Sequence, residues 1–135
     1  MWNHHAGKLV KATQCLREVF IIRKKVCGRE SHDTLQALHH YALFTNASGE
    51  KEKSLVLVTK CWLIRCRTLG PKNLFTLSSQ YCSAFFSNAC RLSKRSAEVM
   101  QQCWRYREEV LGPNHPDTLR AHRQGALILF ECGKG

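Results

Sequence analysis

Residues 111–119 read LGPNHPDTL, and the chain has written something close to this twice before. The earlier versions are CGRESHDTL at 27–35 and LGPKNLFTL at 69–77. Aligning the three puts Gly28, Gly70 and Gly112 in one column, Thr34, Thr76 and Thr118 in a second, and Leu35, Leu77 and Leu119 in a third. Both steps are 42 residues. A fixed period between about 20 and 50 residues is the mark of a solenoid built from one repeated supersecondary unit.

The register holds outside the turn. Ala42, Ala84 and Ala126 share a column, as do Phe20, Trp62 and Trp104, and Arg23, Arg65 and Arg107. Gly7, Gly49 and Gly133 fall in phase, with Arg91 as the exception. Each unit reads as two helices, the first over 33–47, 75–89 and 117–131, the second over 10–26, 52–68 and 94–110. Leu57, Val58, Cys61 and Trp62 recur at the three- and four-residue spacing of a helix with one apolar stripe. Pro116 suits a first helical turn, Asp117 places negative charge at the positive helix end, and Gly112 offers the left-handed stop after the preceding helix.

A helix pair of this kind cannot bury its stripe alone, so neighbouring pairs must stack. The alanine column predicts close helix approach. Cys61 and Cys103, in a column with Val19, read as small soft fillers of the core. The tryptophan column reads as packing between units, while Trp2 falls outside the repeat phase.

Length and composition fit one all-α domain over 1–135, with offset helix pairs at 8–26, 33–68, 75–110 and 117–131. Apolar residues make up 44% and charged residues 23%, which is ordinary for a packed protein and excludes wholesale disorder. The start carries no apolar run of secretory type, and every apolar run is broken short of a membrane span. Eight cysteines without export point to reduced thiols and a cytoplasmic location. No C-x-x-C or H-E-x-x-H occurs, and the nearest pair, Cys61 and Cys66, has four residues between, so no metal or cofactor is expected. His4-His5 suits adventitious metal at most. His39 and His40 have no carboxylate or hydroxyl nucleophile placed beside them, which argues against an enzyme.

LGPNHPDTL, preceded by a helix ending YREEV and followed by one with a central alanine, resembles the 42-residue tetratricopeptide repeats of kinesin light chains, nephrocystin-3 and some STAND-type sensor arrays. The resemblance implies a right-handed superhelical solenoid of antiparallel helix pairs, serving as a protein-interaction scaffold. It also implies that the first helices line a concave groove holding a partner's peptide. The corresponding contacts here are Gln36, His39, His40, Ser78, Tyr81, Arg120, Arg123 and Gln124. That family carries asparagines in two of these columns, and this chain has none in either. Inheritance of a particular ligand is therefore not implied, and a structural spacer in a longer array stands as an alternative.

Net charge is +11, and the short helices 33–47 and 75–89 contain no Lys or Arg. The basic residues concentrate on the second helices, on the convex side by the resemblance. A partner that is acidic fits that surface; RNA fits it less well, for want of aromatic residues among the basic ones. The chain begins before a second helix and stops after a first one, which leaves Leu127, Ile128, Leu129 and Phe130 without a covering helix; the expectation is a segment of a longer array or an end covered by a partner, with self-association through uncapped ends when isolated.

Overall fold

The computed structural model describes residues 4–134, with side chains from 7 to 133. Trp2 and the side chains of His4 and His5 are thus outside what can be described. Among the described residues there are six helices and no strand: α1 His4–Cys27, α2 His32–Ala47, α3 Lys51–Leu69, α4 Leu74–Ala89, α5 Ser93–Leu111 and α6 Pro116–Lys134. The chain forms two compact units, Met1–Ile64 and Arg65–Gly135, the division falling inside α3. The architecture is all-α and built from packed consecutive helices, as the repeat requires.

Chemistry repeats at the turns with different residues. Ser31 accepts from the Thr34 amide, Asn73 from the Phe75 amide at 2.9 Å, and His115 Nδ1 from the Asp117 amide at 3.1 Å. One column thus satisfies an orphan donor at the start of each first helix with a hydroxyl, an amide and an imidazole in turn. Gly28, Gly70 and Gly112 stop the second helices at φ of +90°, +94° and +92°. The Thr34 hydroxyl donates to the Gly28 carbonyl at 2.6 Å, which ties the glycine column to the threonine column.

The loop-glycine column divides. Gly49 has φ +95° and Arg91, in the same column, has φ +66°. Both close the preceding helix with the same bond pattern, Glu50 to the Thr45 carbonyl at 3.2 Å and Leu92 to the Ser87 carbonyl at 2.9 Å. Gly7 and Gly133, in the same column, lie inside helices, α1 and α6.

In the first unit Leu35, Leu38, Tyr41 and Cys61 form the core, ringed by Leu16, Phe20, Leu57 and Ile64. In the second, Ala84, Ala97, Met100, Cys103, Ala121 and Ile128 do so, with Tyr81, Val99 and Trp104 against them. Cys61 donates its thiol to the Leu35 carbonyl at 3.4 Å and Cys103 to the Leu77 carbonyl at 3.7 Å. The cysteine column is a core filler that also carries a weak hydrogen bond.

One expectation fails in the third copy. Ala42 and Ala84 are fully buried, but Ala126 is exposed. Leu119 is 51% exposed where Leu35 and Leu77 are 2% and 1%. The reason is the cover: α3 lies over α2 and α5 over α4, and among the described residues no second helix follows α6. Leu127, Leu129 and Phe130 are exposed as expected, but Ile128 is buried in the second core.

Candidate protein-interaction surface

Each first helix has one stripe toward its own second helix and another beside it. The second stripe comprises columns one, four, five and eight past the shared leucine. On α4 these are Ser78, Tyr81, Cys82 and Phe85; on α6 they are Arg120, Arg123, Gln124 and Leu127. Spacings of three, four and seven residues place them on one helix face.

On α2, Gln36 is half-buried and His40 exposed, whereas His39 is 7% exposed, its ring 6.1 Å from that of His40 in an edge arrangement. His39 therefore offers a partner little surface. On α4, Ser78 and Tyr81 are half-buried; on α6, Arg120 and Arg123 are exposed and Gln124 half-buried. Arg120 pairs with Asp117 at 3.3 Å one turn earlier.

Tyr81 is the centre of the second unit's surface. Its ring stacks with Phe85 at 6.3 Å, and the Arg107 guanidinium lies 4.8 Å from its centroid. Burial pushes the phenol above its ordinary value, against the opposing pull of Arg120, Arg107 and Arg123. Arg120 and Arg123, with Pro116 and Leu119, also line a shallow hollow of about 330 Å³.

Position eight, holding Phe85 and Leu127, is missing from the contacts inferred from the sequence. Phe85 is 43% exposed on α4, and Leu127 is exposed on α6. The signal was available as the next heptad step on the same face.

The arginine column ties helices together through backbone carbonyls. Arg23, Arg65 and Arg107 donate to the carbonyls of Asp33, Phe75 and Asp117, at 3.2, 3.2 and 2.9 Å, bracing the first turn of the next first helix. Arg65 and Arg107 are buried in doing so. Lys11, Arg17, Lys24 and Lys25 on α1 and Lys53, Lys60 and Arg67 on α3 are exposed. Trp62 and Trp104 are half-buried, and Trp104 stacks on His122 at 4.3 Å.

Among the described residues no group of three or more His, Cys, Asp or Glu is placed to hold a metal, and no helix is long and apolar enough to cross a membrane. All eight cysteines are free thiols.

The family model described as tetratricopeptide repeat matches residues 93–117, which is α5 and the turn into α6. No curated protein matches the chain. Among solved structures, the chain is similar to the crystal structure of a glutamine-to-methionine variant of a putative kinesin light chain with nearly identical TPR-like repeats from Podosopora anserina. Identity is 23% and the TM-score 0.89 over 94% of this chain. A second crystal structure of that putative kinesin light chain gives 23% identity and a TM-score of 0.86 over 90%. The chain spans 60% and 58% of those two chains. At that identity the likeness speaks for the fold, and it agrees with the period, the capped turns and the packed pairs: the architecture is that of a tetratricopeptide-type repeat protein.

Proposed function

We propose that the chain is a protein-interaction scaffold that holds a peptide segment of a partner along its first helices. The observation that carries this is the paired stripe of the second unit, where aromatic Tyr81 and Phe85 lie on one first helix and cationic Arg120 and Arg123 on another. Phe85 and Leu127 suit apolar side chains, and the arginines suit carboxylates through their planar forks. The preferred ligand is therefore a peptide with apolar and acidic residues interleaved. Likeness to a putative kinesin light chain suits an adaptor role of this kind.

The test is selection of peptides against the chain, followed by titration of the selected peptide against variants. Phe85→Ala and Arg123→Ala weaken binding about tenfold or more if these side chains anchor the ligand. His40→Ala reports whether the first unit takes part. Equal affinity for wild type and for both second-unit variants would remove the groove reading and favour a spacer. The exposed lysines and arginines of α1 favour an alternative reading, an acidic partner held on that basic surface, and it is separable because it leaves Phe85 untouched.

A further inference from the structure

The outer side of α3 is apolar and cationic at once. Lys53, Val56, Lys60 and Leu63 step by three, four and three residues, which puts them on one side of the helix, and all four are exposed. Val56 is 64% exposed and Leu63 57%. These columns are open by the geometry of the repeat. Their counterparts on α5, Arg95, Glu98, Gln102 and Arg105, are also exposed, although α4 and α6 both pack against that helix. So are Lys11, Gln14, Glu18 and Ile21 on α1. What differs is the filling. α5 presents four polar side chains there, whereas α3 has Val56 and Leu63 in the places of Glu98 and Arg105.

α1 extends this pattern within the first unit. Ile21 and Val26 are 37% and 78% exposed, with Lys25 beside Val26. The columns of Lys25 and Val26 are likewise exposed on α3, at Arg67 and Thr68, and on α5, at Glu109 and Val110. α1 and α3 share one core, since Leu16 and Phe20 from the first helix and Leu57 and Ile64 from the second pack around Leu35, Leu38 and Tyr41. Glu18 and Glu52 are the acidic side chains on this side, against Lys11, Lys25, Lys53 and Lys60.

Chemistry selects the occupant. Single aliphatic side chains projecting from the back of a helix suit an apolar medium that yields to them, and the lysines between them call for anions. A second copy of the chain brings the same positive charge. Nucleic acid answers the lysines and leaves Val56 and Leu63 in water. The interface of an anionic bilayer supplies both partners, an acyl boundary for the aliphatic groups and headgroup charge for the ammoniums. Lysine suits such an interface because its stem lies along apolar surface while its head stays at the level of water. Lys53 already does this within the protein, its ammonium 5.7 Å from the centre of the buried Tyr41 ring while the residue remains exposed. We infer that the outer side of α1 and α3 is a membrane-contact surface, which rests Ile21, Val56 and Leu63 in the headgroup region of an anionic bilayer and sets the lysines against its phosphates and carboxylates. The contact is peripheral, since no described helix is long and apolar enough to cross. It uses none of Tyr81, Phe85, Arg120 and Arg123, so its failure and that of the peptide groove are separate results.

Vesicle flotation tests this. The chain floats with phosphatidylcholine vesicles containing about one-third phosphatidylserine, stays behind with pure phosphatidylcholine, and is released as salt is raised. Lys53→Gln with Lys60→Gln lowers partitioning about twentyfold. Val56→Ser with Leu63→Ser lowers it about tenfold at unchanged charge, and that variant keeps its affinity for the peptide selected against the groove. All four positions are exposed, and circular dichroism confirms that the helices are retained. Failure of wild type to float with anionic vesicles overturns the proposal. So does unchanged flotation of the Val56→Ser, Leu63→Ser variant, which would reduce the effect to diffuse charge attraction. Equally tight binding to polyglutamate that weakens with the same pair would also overturn it, and would assign this side of the helices to an acidic protein.

Discussion

Arg91 shows what the repeat costs where one residue breaks its column. The turn after α4 needs a left-handed residue, and the earlier copy supplies Gly49 there. Arg91 adopts φ +66° instead, a conformation that disfavours a side chain by about 1–2 kcal/mol, partly offset by the greater freedom of glycine in the unfolded chain. Arg91→Gly is expected to stabilise the protein by about 0.5–1 kcal/mol in denaturant unfolding, and a loss of stability would show that the arginine makes a compensating contact. Cys103 gives a second residue-level prediction. Burial raises its thiol from 9.0 to about 11, with Arg107 pulling weakly the other way. A raised folded value means the stabilisation is intact below pH about 9 and is lost between about 9 and 11, because the unfolded chain gives up its proton first. At pH about 10.5 the loss is about 2 kcal/mol relative to pH 8. Cys103→Ala removes that loss; since lysines titrate in both proteins, the difference between the two pH profiles is the measurement.

At the scale of the helix, the arginine column separates burial from hydrogen bonding. Arg23 and Arg107 make the same bond to the next first helix, but Arg23 is exposed and Arg107 buried beneath Tyr81. Arg107→Ala is expected to cost about 2–3 kcal/mol, since it strands the Asp117 carbonyl and opens space under the ring; Arg23→Ala is expected to cost less than about 1 kcal/mol. Equal losses in denaturant titrations would show that burial of the guanidinium is not what matters. The turns between helices were readable from the 42-residue period because Gly28, Gly70, Gly112 and Pro116 are residues whose backbone preferences mark helix ends, whereas α1 starts at His4, ahead of the expected 10. His115 as a capping acceptor was not readable, since imidazole is not a usual cap and its role depends on ring placement. Nor was the burial of His39 or the exposure of Ala126. A column says which face a residue shares with its counterparts, whereas burial depends on the neighbour covering that face. Phe85 was within reach of the pattern, since it lies seven residues past Ser78 on the same helix face.

At the scale of the whole chain, net charge sets the response to salt. The net charge is +11, and the ion pairs of Lys72 with Glu109 at 2.7 Å and of Arg120 with Asp117 at 3.3 Å are both solvent-exposed. Exposed pairs contribute about 0–1 kcal/mol each, so salt has little attraction to screen and much repulsion. Raising ionic strength from about 0.01 M to about 1 M shortens the screening length from about 30 Å to about 3 Å. Stability in denaturant should therefore rise with added sodium chloride, and Lys72→Ala should leave that slope nearly unchanged. A fall in stability with added salt would mean that specific ion pairs outweigh the long-range repulsion.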